Sequence, residues 1–155
     1  MPALHEVQFS GATHGIATGF SSTNNLTITL SGASSLDSDV SAVYVKINLE
    51  GTSHLKGTVT YSEDAKLIIS GASNVELTGE ARNLHVEICS GTIVLELSNF
   101  PVNNLDANLS GVSIATIKLD SRLDANISGT SQLYYIREPT MDDINTSEGS
   151  IISKK

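Results

Sequence analysis

The sequence has no tryptophan, one cysteine, three prolines and only seven aromatic residues, four Tyr and three Phe, among 155. The lone Cys89 excludes an internal disulfide framework and any zinc site built on several cysteines. Charge is also sparse: 17% of residues are charged, and 17 acids against 9 bases leave a net charge of −8. With a pI near 4.8, that balance argues against nucleic acid or an anionic membrane surface as the partner. Apolar runs last only a few residues, so no segment reads as a transmembrane span. The opening Met1-Pro2-Ala3-Leu4-His5-Glu6 has neither a basic n-region nor an apolar h-region. Either the protein is cytoplasmic or a leader lies outside this sequence.

What fills the chain instead is small and polar. Ser, Thr and Asn number 22, 14 and 11, and 39% of residues are hydrophobic. That apolar share is too high for a disordered chain. It is also distributed with a period. Eight of the 12 glycines, Gly11, Gly32, Gly51, Gly71, Gly91, Gly111, Gly129 and Gly149, stand 18 to 21 residues apart. Fixed-period self-similarity is the mark of a stacked repeat.

The positions around each glycine share a chemistry. Six, four and two residues before it lie Leu26, Ile28, Leu30; Val45, Ile47, Leu49; Ala65, Leu67, Ile69; Leu105, Ala107, Leu109; and Leu123, Ala125, Ile127. Polar residues alternate with them, which predicts strands with one buried face. Leu36, Leu55, Val75, Leu95 and Leu133, four after the glycine, predict a second inward-pointing strand. The glycine marks a corner that needs positive φ. Ser34, Ser53, Ser73, Ser113 and Ser131 are placed to hydrogen-bond the backbone there.

One such repeat cannot bury its own apolar face, but parallel stacking can. The expectation is an all-β fold over residues 1–155, a single parallel β-helix domain of about eight coils with a repeat near 20 residues. The coil ending at Gly91 has its apolar alternation one residue farther from the glycine. One extra residue, Cys89, would make a β-bulge there.

Ser31-Gly32-Ala33-Ser34-Ser35-Leu36 and Ser70-Gly71-Ala72-Ser73-Asn74-Val75 resemble the repeated core of a bacterial and archaeal family, usually exported. Its description is "putative auto-transporter adhesin, head GIN domain". Leu133-Tyr134-Tyr135-Ile136-Arg137-Glu138-Pro139 and Glu148-Gly149-Ser150-Ile151-Ile152 resemble that family's ending. The family commonly has Gly-Asn-Pro where this chain has Arg137-Glu138-Pro139. The resemblance implies a right-handed, single-stranded parallel β-helix and a cell-surface or secreted, adhesin-like role. It carries over no catalytic residue and no cofactor.

Stacking turns spaced residues into ladders. The outward column five before the glycine holds Glu6, Thr27, Lys46, Lys66, Asp106 and Asp124; Asp142, seven before Gly149, is taken to continue it, with Glu87 expected at the equivalent place in the shifted coil. Asp106 should lie one coil from Asp124, and Asn108 one coil from Asn126. Glu87, Asp106, Asp124 and Asp142 are the candidate cation ladder, because a cation relieves stacked carboxylates and prefers hard oxygen ligands. Asn108, Asn126, Tyr134 and Tyr135 are the candidate ligand contacts, with one tyrosine expected in the core by alternation. His14 and His54 fall two coils apart, with Ser35 between, too far to share a metal.

The function expected is a non-catalytic structural and binding module, with a surface glycan or protein, or a second copy of itself, as partner. Asp106, Asp124, Arg122 and Lys118 in adjacent coils keep a polysaccharide-active enzyme open, although repeats of 18 to 21 residues leave no room for groove walls. A cytoplasmic scaffold is the third class. The N-terminal end shows no evident cap, whereas Ser153-Lys154-Lys155 place charge at the other end.

Overall fold

The structure is a computed structural model that describes residues 5–147 and 149–155. The chain winds as a parallel β-solenoid of about eight turns with a repeat of about 19 residues and, among the described residues, no helix. Its strands are β1 (Glu6–Phe9), β2 (His14–Leu30), β3 (Ser35–Leu49), β4 (His54–Gly71), β5 (Asn74–Leu109), β6 (Val112–Ile127), β7 (Gln132–Ile136), β8 (Thr140–Thr146) and β9 (Ile151–Lys154). They pair in parallel in the order β1-β2-β3-β4-β5-β6-β7-β9, with β8 on β6. The first long strands each hold two straight runs, one on either side of a softer corner. The register shifts at that corner, as between Val40 and Tyr44.

The alternation predicts the interior correctly. All fifteen apolar residues named above before the glycines are buried, as are the five after them. The run before the glycine forms one flank of the coil, here called face A. The run after it forms face B.

The glycine corner joins the two faces. Gly11, Gly32, Gly51, Gly71, Gly91, Gly111 and Gly129 have φ between 72 and 122°. Each corner also binds the next. The carbonyl of Gly32 accepts from the N–H of Thr52 at 2.8 Å, and that of Gly51 from Ala72 at 2.8 Å. A Cβ on Gly71 would fall 2.2 Å from the Gly51 carbonyl oxygen. Two independent constraints, backbone conformation and close approach, therefore select glycine. Beside it, the buried hydroxyls of Ser34, Ser53 and Ser73 donate to the carbonyls of Ser31, Glu50 and Ser70 at 2.6, 2.7 and 3.2 Å.

The bulge lies where expected. Ile69 pairs with Ile88 and Ser70 with Ser90, so the ladder skips Cys89. The N-terminal end is better covered than the sequence indicates. The Phe9 ring occupies the space that a Leu36-type side chain would take in the coil of Gly15, since a Cβ there would lie 2.3 Å from Phe9 Cζ. Phe9 and Phe20 pack against the core at this end, and Tyr135, Ile144 and Ile152 at the other. Glu148, in the resembling terminal turn, lies outside the described residues.

Candidate functional site

Face A presents three outward columns, two residues apart along each strand. The register sets the middle column as Glu6, Thr27, Lys46, Lys66 and His85, continuing through the paired Asp106 and Asp124. His85, not Glu87, stands beside Lys66. Glu87 stands two residues farther on, opposite Ile68. The cause is Cys89. An inserted residue between column and glycine displaces any count made back from the glycine, so the equivalent position is six residues before Gly91.

Asn108 and Asn126 do stack, as expected, and Asn145 follows them. Tyr134 and Tyr135 are on face B, across the glycine corner from these asparagines. Tyr134 is half-buried and its hydroxyl donates to Gln132 Oε1 at 2.8 Å. Tyr135 packs against the core, as the alternation requires.

The carboxylates in the later coils of this face have partners. His85 Nδ1 is 3.1 Å from Asp106 Oδ2, and its Nε2 is 4.0 Å from Glu87 Oε2. Arg122 forks between two coils, with Nη2 2.6 Å from Asp124 Oδ2 and Nε 2.9 Å from Asp142 Oδ2. The backbone N–H of Asp143 donates to Asp124 Oδ1 at 3.1 Å. Among the described residues, no group of three or more His, Cys, Asp or Glu side chains is disposed to hold a metal ion.

The third column, seven residues before the glycine, is the one the sequence reading passed over. Asn25, Tyr44, Asp64 and Asn83 succeed one another, and Asn104 pairs with Arg122. Asn104 Nδ2 donates to Asn83 Oδ1 at 2.8 Å, and Asn83 Nδ2 donates to Asp64 Oδ1 at 2.7 Å. Extending the same count two residues back from each glycine finds this ladder. It draws no notice in the sequence because Asn is common here and the bulge moves Asn83 out of step. Together Tyr44, Asp64, Lys66, Asn83, His85 and Asn104 line a shallow open groove that continues onto Asp106, Arg122 and Asp124.

His14 and His54 flank Ser35 on face B, and His14 Nδ1 lies 2.5 Å from Ser35 Oγ. Both histidines are exposed.

A model of the family described as "putative auto-transporter adhesin, head GIN domain" matches residues 20–139. The matched range holds the glycine corners from Gly32 to Gly129 and the groove of face A. No curated protein and no solved structure matches the chain.

Proposed function

The chain belongs to the putative auto-transporter adhesin, head GIN domain family, and from that membership and the form of face A we propose a non-catalytic binding module displayed on a cell surface or secreted. The observation that carries this reading is the groove along face A. Its polar side chains come from successive coils of a rigid solenoid. The core beneath them is apolar and fully buried, so the outward columns are held at fixed spacing. Preorganised polar groups bind an extended partner with little ordering cost. A repeated, open polar surface of this kind suits a polymer such as a surface glycan better than a small enclosed ligand.

The test is a glycan array and a cell-binding assay with the whole chain, compared with Asn83→Leu and Asn104→Leu. Binding that the two variants lose supports the proposal. Absence of binding to any glycan or cell, or chain shortening of a bound glycan during incubation, overturns it.

A further inference from the structure

Face B changes character along the solenoid. Its outward column three residues after the glycine runs His14, Ser35, His54 and Asn74 through the early coils. At the same place in the later coils stand Val94, Ile114, Gln132 and Ile151. Val94, Ile114 and Ile151 are 43, 42 and 46% exposed, and Val112, on the coil of Ile114, 52%. These are four of the seven large apolar residues exposed among the described residues, gathered on four coils. Val94, Ile114 and the half-buried Tyr134 line a shallow hollow there. Apolar side chains gathered in a column that is polar elsewhere mark a face that is covered in use.

The patch has a midpoint, between the paired Ile114 and Gln132. Val94 lies one coil before the first and Ile151 one coil after the second. Turn a second copy about an axis through that midpoint, along the strands. Val94 then lies on Ile151 of the second copy, Ile114 on its Gln132, and Thr116 on its Tyr134. Charge follows the same operation. Glu96, two residues beyond Val94, accepts from the Ser98 N–H at 3.1 Å and makes no ion pair among the described residues. Lys154, on the strand of Ile151, is taken up by Glu138, but the next residue, Lys155, makes no ion pair among the described residues. The rotation brings Glu96 towards Lys155 on both sides of the axis. Lys118 falls at the rim, in register with Ile136, where a lysine keeps its ammonium in water. Acid at one end of the patch and base at the other thus make it complementary to itself.

We propose that the late coils of face B form a two-fold docking surface for a second copy of this chain, with the two solenoids antiparallel. Four coils at about 4.8 Å, by about seven strand residues at about 3.3 Å, offer about 400 Å² per copy. That is the size of a transient interface, so the pair is weak. Face A stays uncovered in it, and two grooves are carried together.

The experiment is sedimentation equilibrium of the whole chain at about 0.05 M salt, from tens of micromolar to about 1 mM. The mass should climb towards twice the monomer and no further, with a dissociation constant on the order of hundreds of micromolar. Ile114→Ser with Ile151→Ser, both at exposed positions, should weaken the pair about tenfold or more. Glu96→Lys should weaken it severalfold, and adding Lys155→Glu to that variant should restore it. A monomer at about 1 mM overturns the proposal, as does a mass that passes twice the monomer without levelling, which belongs to the ends. A charge swap that fails to restore affinity overturns the antiparallel two-fold. A chain that stays monomeric but sediments with phosphatidylcholine vesicles gives this face to a lipid surface and overturns the second copy.

Discussion

At the scale of single residues, this fold is set by where a side chain is forbidden. Gly11 and Gly71 share a positive φ, 78 and 84°, but differ in what lies beside them. A Cβ on Gly11 meets nothing within 4 Å, whereas one on Gly71 falls 2.2 Å from the Gly51 carbonyl oxygen. Gly11→Ala should therefore cost only the conformational penalty of the left-handed region, about 1–2 kcal/mol. Gly71→Ala must also push apart two stacked corners and break the bond from the Ala72 N–H to that oxygen, for a loss of about 3 kcal/mol or more. Urea unfolding of the two variants measures the difference. Equal losses would show that close approach between coils does not select the glycine. Arg137 illustrates the same constraint from the other side. Its φ is 84°, at the corner where the resembling family commonly has Gly. An L side chain tolerates that conformation only at a cost, and the guanidinium is ion-paired with Asp120.

At the scale of the element, strands and corners were legible in the sequence because alternation and the glycine period are local signals. The inward columns, the serine hydrogen bonds and the bulge at Cys89 all follow from counting along one coil. The partners across coils were less legible. Five residues back from Gly91 lies the apolar Val86, so the polar place in that coil is either neighbour; Glu87 is the expected one, but the inserted residue moves the place the other way, to His85. The fork of Arg122 onto Asp124 and Asp142 depends on side-chain reach between coils, which no period encodes. The last strand shows such a contact with a pH signature. Lys154 Nζ, on β9, lies 2.6 Å from Glu138 Oε1 in the corner after β7. The hydrogen bond and charge of Lys154 hold the Glu138 carboxyl below its ordinary value of 4.5. A depressed folded-state pKa means that the pair stabilises β9 above the unfolded value and ceases to do so as pH falls through the folded one. Amide exchange in 151–154 should quicken as pH drops below 4.5, after correction for intrinsic rates. In Lys154→Gln the Glu138 titration followed by NMR should return toward 4.5. Identical Glu138 midpoints in the two proteins would refute this coupling.

At the scale of the whole molecule, a solenoid is a stack whose ends resemble its middle. Val7 and Ile144 continue the inward column of Ile28 and Ala125, and the terminal strands β1, β8 and β9 close the pairing order. Their outer edges present parallel-strand hydrogen-bonding groups with no strand beyond them among the described residues. One end is thus complementary to the other, and docking end to end would continue the column register. Such a contact is head-to-tail and does not close, so it yields linear chains rather than a discrete dimer. Charge opposes it. Glu6 at one end and Asp142 with Asp143 at the other belong to the same outward region of face A, so docking juxtaposes carboxylates. The two effects separate by ionic strength. Above about 0.5 M salt the Debye length falls to a few ångströms, and the repulsion is screened while the backbone and apolar terms remain. Light scattering at tens of micromolar should show little association at low salt and a mass that rises without plateau at high salt. Glu6→Lys should bring that association down to low salt by turning the repulsion into attraction. A monomer at both salt concentrations would count against association altogether. Association that ignores Glu6→Lys would place the contact on a lateral face instead of the ends.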